Sequence, residues 1–86
     1  MYEVLLKSQP RKKLTSLARD EKSRISEKLI MLSDNPDDQR LDVKRMVGFD
    51  ARWRLRVGQW RIIYDRLDTL RIIKITKIGS RGDVYK

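Results

Sequence analysis

The stretch RWRLRVGQWRIIYDRL, residues 52–67, is built on a period of two, broken once by Gly58-Gln59. Alternation of that kind puts successive side chains on opposite faces of a strand, and glycine followed by another residue suits a two-residue type II′ turn. Together they set a hairpin register. Val57 faces Trp60, Arg56 faces Arg61, Leu55 faces Ile62, Arg54 faces Ile63, Trp53 faces Tyr64, and Arg52 faces Asp65. One face then holds Trp53, Leu55, Val57, Trp60, Ile62 and Tyr64, apolar apart from one phenol, and has to be covered, which buries both tryptophans. The other face holds the arginines.

The covering elements precede the hairpin. YEVLL (2–6) reads as a short strand, and Ser8 with Pro10 opens a helix as an N-cap and a first-turn proline, with Leu14, Leu17 and Ala18 on one face. Asp20 caps a second helix in which Ile25, Leu29 and Leu32 recur at helical spacing, and Pro36 ends it by restricting Asn35. Residues 37–47 are polar and irregular. LRIIKITKI (70–78) makes a further strand after Asp68-Thr69, with isoleucine on both faces and Lys74 and Thr76 joining the arginines. The expectation is a single α+β domain over residues 1–86: a small antiparallel sheet, one N-terminal strand plus a C-terminal three-strand meander, with two helices on one face.

Chemistry is bounded by what is missing. The chain has no cysteine and no histidine, so thiolate catalysis, disulfides and the commonest metal ligand and general base are excluded. Glycines at 48, 58, 79 and 82 fit no phosphate-loop spacing, and Asp34, Asp37, Asp38 and Asp42 lack the spacing of a calcium loop, so neither a metal nor a cofactor is expected. MYEVLLKSQPRKK has neither a signal-peptide pattern nor a membrane span, and a cytoplasmic protein follows.

The formal net charge is +9, which points to a polyanionic partner. Residues 1–47 carry 11 basic and 8 acidic groups, residues 48–86 carry 10 and 4, so the excess lies in the C-terminal half. Arg56 and Arg61 are like charges directly opposed, a destabilising arrangement unless an anion sits between them. Solvation of an exposed strand accounts for one or two such cations. Four without an alternating acid indicate an anion site on the exposed sheet face.

The strand–helix–helix start, then RLRVGQWRIIY, then KIGSRGDVYK resembles the RelE/ParE superfamily of toxins from prokaryotic toxin–antitoxin modules, in its RelE-like branch. The resemblance spans essentially the whole chain. It implies an antiparallel sheet covered by two helices, metal-independent cleavage of messenger RNA in the ribosomal A site, and neutralisation by a cognate antitoxin. Arg61 and Arg81 match the family's phosphate-holding arginines, and Tyr85 matches a tyrosine implicated in stacking or proton transfer. Arg54 and Arg56 fall where the family has basic residues, often lysine. Metal-free cleavage needs a proton acceptor for the ribose 2′-hydroxyl, charge stabilisation on the phosphorane and a proton for the leaving 5′-oxygen. A guanidinium cannot be the acceptor, so Tyr85, its pKa lowered by surrounding cations, is the expected base, with Lys74 or Lys77 as the fallback. Arg52, Lys74, Lys77 and the helix-one cations Lys12, Lys13 and Arg19 are expected to contact RNA or the ribosome. Two other readings are a topoisomerase-inhibiting toxin of the ParE branch and a non-catalytic RNA-binding module, the latter requiring exposed tryptophans.

Overall fold

The structure is a computed structural model, and it describes residues 1–80. The elements run β1 (Glu3–Leu6), α1 (Ser8–Ser16), α2 (Arg19–Asp34), β2 (Asp42–Arg45), β3 (Arg52–Val57), β4 (Trp60–Leu67) and β5 (Ile72–Ser80). The strands form one sheet in the order β1-β5-β4-β3-β2. The α+β class and the two helices are as the sequence implies. The sheet is mixed rather than purely antiparallel, because β1 enters beside β5 in parallel, Val4 opposite Ile73 and Leu6 opposite Ile75. A parallel neighbour cannot follow through a tight turn, and the chain between these two strands runs through both helices to the far edge of the sheet and back across β2, β3 and β4.

The β3–β4 register is the one that alternation dictates, from Val57 opposite Trp60 to Arg52 opposite Asp65. Gly58 has φ of 59°, whereas Gln59 is not among the residues with positive φ, the combination of a type II′ turn. Residues 37–47 depart from expectation: Asp42–Arg45 forms β2, pairing antiparallel with β3. Thr76 departs too. The β4–β5 register shifts between Ile63 and Tyr64, leaving Thr76 as the extra residue, and its hydroxyl donates to the Ile63 carbonyl at 3.1 Å.

Both helix starts differ from the sequence expectation. Lys7 and Ala18 occupy the N-cap positions without side-chain caps, which puts Ser8 inside α1 and Asp20 in the first turn of α2. There Asp20 and Glu21 complement the helix dipole instead of capping it. Leu17 and Ala18 lie in the link between the helices, and Pro10 is the buried residue of α1.

The core lies between α2 and the apolar sheet face. Ile25, Leu32, Leu55, Ile62, Tyr64, Ile73, Ile75 and Ile78 are fully buried there, each large side chain contributing roughly 1.5–3 kcal/mol. Trp53 and Trp60 are only partly buried, packed on its margin. Where β1 ends, Gln9 of α1 takes over its neighbour's pairing: Nε2 donates to the Ile78 carbonyl and Oε1 accepts from the Ile78 N–H, both at 2.9 Å. Helix α1 is thereby tied to the last turn of β5. Among the described residues no helix is long and apolar enough to cross a membrane.

Candidate functional site

The open sheet face is assembled row by row from residues that stand opposite one another. Asp42 of β2, Arg56 of β3, Arg61 of β4 and Gly79 of β5 make one row. Lys44, Arg54, Ile63 and Lys77 make the next, followed by Arg52, Asp65, Lys74 and Leu5. Lys74 therefore joins the arginines as expected, and Lys77 does so as well. Ile63 is only 5% exposed although it lies on this charged face, beneath flanking long side chains whose methylene stems can cover it while their charges stay in water.

The four arginines differ in their commitments. Arg52 donates from Nε to Asp65 at 3.0 Å, an interaction that raises its pKa. Arg54 reaches Asp42 at 3.4 Å, a partner hidden from the sequence because it belongs to the unexpected strand β2. Arg56 makes only a weak 3.3 Å contact to the Gly58 carbonyl. Arg61 has its Nη1 buried with no hydrogen-bond partner among the described residues. Leaving a charged donor buried and unmatched costs more than leaving it in water. Among the described residues neither Arg56 nor Arg61 forms an ion pair, since Asp42, although opposite Arg56, is engaged by Arg54, and Gly79 leaves the position next to Arg61 without a side chain.

Several other candidates are accounted for differently. Lys13 lies 5.3 Å from the Trp60 ring centroid, and the Trp60 indole donates to Glu21 at 2.6 Å. Glu21, which sequence reasoning missed, thereby fixes the hairpin end carrying Arg56 and Arg61. Lys12 is exposed on α1, whereas Arg19 belongs to α2 rather than to the first helix. Tyr64 is fully buried, and burial pushes its phenol above the ordinary range, so it holds its proton and is no base. The acidic run is spent on arginines, Asp37 on Arg66 at 2.7 Å and Asp38 on Arg40 at 2.7 Å. Arg81 and Tyr85 lie outside the described residues.

Residues 6–85 match the family model described as ParE toxin of the type II toxin–antitoxin system parDE. The chain is 33% identical over 86 residues to a protein of Methanocaldococcus jannaschii named as the toxin RelE1, covering 99% of this chain and 96% of that one. Its fold is similar to that in the archaeal RelE–RelB complex from Pyrococcus horikoshii OT3, with a TM-score of 0.82, 30% identity, and 96% of this chain and 98% of that chain covered. The intact E. coli RelBE toxin–antitoxin complex has a chain of the same fold, with a TM-score of 0.78 at 15% identity over 95% of this chain and 99% of that one.

Proposed function

The chain belongs to the RelE/ParE superfamily of toxins from type II toxin–antitoxin systems, and on that premise we propose that it is a ribosome-dependent endoribonuclease. It cleaves messenger RNA in the A site without a metal and so stops translation. The observation that carries this reading is the opposed pair Arg56 and Arg61, neither of which forms an ion pair among the described residues and one donor of which is buried there without a hydrogen-bond partner. A phosphodiester between the two guanidiniums satisfies both and removes their repulsion.

In the proposed reaction the ribose 2′-oxygen attacks the adjacent phosphorus and the bond to the 5′-oxygen of the next nucleotide breaks, giving a 2′,3′-cyclic phosphate and a 5′-hydroxyl whose proton comes from water at the open face. Arg56 and Arg61 offset the charge that accumulates on the phosphorane oxygens. Arg54, tied to Asp42, keeps the neighbouring row positive. By the family resemblance Arg81 adds a second phosphate contact and Tyr85 accepts the 2′ proton. Lys74 and Lys77, both on the open face, are the alternative acceptors. Lys12, Lys13 and Arg19 dock the protein on ribosomal RNA. The partner that silences it is a cognate antitoxin, acidic enough to cover the open face.

A ParE-type action on a topoisomerase is the second reading, favoured by the description of the matching family model. The two readings separate on incubating the protein with translating ribosomes and mapping message ends. New ends at A-site codons are expected; intact messages together with inhibited DNA supercoiling would replace the first reading by the second.

A further inference from the structure

The arginine face ends in an aromatic ring. Phe49, in the turn between β2 and β3, is 46% exposed, and its neighbour Val47 is 96% exposed. Scattered apolar side chains on a surface need no explanation, but Phe49 is held in place. The Arg52 guanidinium carbon lies 4.7 Å from the ring centroid, and Arg52 is itself fixed by Asp65, Nε to Oδ1 at 3.0 Å. The turn is pinned as well: the Met46 N–H donates to the Arg52 carbonyl and Arg45 Nη2 to the Asp50 carbonyl, both at 2.9 Å. Gly48, at φ of 88°, supplies the reversal that presents the ring.

The surroundings select a partner. Lys44, Arg45 and Arg54 line a groove with Met46 and Val47 beside this turn. Lys44 and Arg54 belong to the row between Arg52 and the opposed pair. Arg52 and Arg56 are four positions apart on β3, about 13 Å at the usual rise of ~3.3 Å per residue, a reach of a few nucleotides. A held ring, a cation against it and a positive path to a phosphate site make up the pattern by which proteins bind single strands, bases stacked and backbone neutralised.

We infer that Phe49 is a stacking platform for a nucleobase of single-stranded RNA whose backbone crosses the arginine face toward Arg56 and Arg61. This rests on the proposed reading that RNA is the substrate. Arg52 becomes a positioning residue: it holds the ring, while its charge is answered by Asp65 rather than by a phosphate.

The test uses the full chain and a fluorescein-labelled single-stranded oligoribonucleotide, methylated on every 2′-oxygen so that it cannot be cut, and the same backbone without bases. Phe49→Ala is expected to weaken binding of the base-bearing strand roughly tenfold, within the range of one lost stacking contact, while Phe49→Trp retains affinity. Both variants should bind the abasic strand like the wild type. The salt slope should be unchanged by Phe49→Ala but reduced by about 0.7 in Arg56→Ala, which loses a phosphate contact. Equal affinity of wild type and Phe49→Ala for the base-bearing strand overturns the platform, and so does an equal loss on the abasic strand. Weakened antitoxin binding with RNA binding intact overturns it in favour of a protein contact. An Arg56-dependent slope in those cases leaves the RNA reading standing. A wild type that does not bind the oligonucleotide at low salt also overturns the platform, and message-end mapping then judges the reading by itself.

Discussion

At the scale of single residues, two neighbouring arginines of β4 have opposite assignments. Arg66 donates to both oxygens of Asp37 and to Asp68 and lies over the Trp53 ring, so its work is structural. Its carboxylate partners are largely exposed, which discounts the ion pairs, and Arg66→Ala should cost about 1 kcal/mol in denaturant melts. Arg61→Ala should leave stability equal or slightly raised, because it removes the repulsion with Arg56. The same carboxylates predict an acid response. Hydrogen bonds from Arg66 hold Asp37 and Asp68 below their ordinary value of 3.8, and those from Arg40 bring Asp38 to about 2. Carboxyls depressed in the folded state bind protons more readily when unfolded, so their stabilisation is present above the ordinary value and is lost as pH falls through the folded one. Thermal melts should decline below about pH 4, and Asp38→Asn should start lower and decline less steeply. The opposition of Arg56 to Arg61 was legible from alternation and one turn. The pairing of Arg54 with Asp42 was not, since it crosses strands whose adjacency no local pattern records.

Elements were legible where their own residues decide the conformation and obscure where a neighbour decides it. The hairpin carries its register in Gly58 and the alternation around it, and α2 carries its buried face in Ile25, Leu29 and Leu32. Strand β2 is four residues, DVKR, with three of them exposed, and it exists because β3 offers an unpaired edge. The helix starts misled because Ser8 and Asp20 are good capping residues that the chain places one and two positions inside. The Gln9 clamp was equally invisible, since a glutamine on a polar helix face gives no sign that its amide will complete a sheet ladder. Gln9→Ala strips both partners from the main chain of the buried Ile78, and a loss of about 1–2 kcal/mol is expected in chemical denaturation. Hydrogen exchange should rise first at Ile78, while amides in the middle of β4 stay protected.

For the molecule as a whole, charge and fold point the same way: of a chain with net +9, the sheet face that the helices leave open carries Arg52, Arg54, Arg56, Arg61, Lys44, Lys74 and Lys77 against Asp42 and Asp65. Association with an acidic antitoxin should therefore weaken as ionic strength rises, and titration calorimetry from low to high salt checks it. A complex indifferent to salt would mean that neutralisation does not work by covering this face. In the proposed reaction Arg61 stabilises the reacting phosphate rather than docking the protein. The most direct test is the single-turnover rate of message cleavage by Arg61→Ala at saturating ribosome, where docking defects no longer matter. A folded variant slowed by about 10²–10³, the usual cost of one preorganised charge-stabilising donor, is the predicted result. A folded variant that cuts at the wild-type rate would contradict it, leaving the arginine pair as a contact for some other anion.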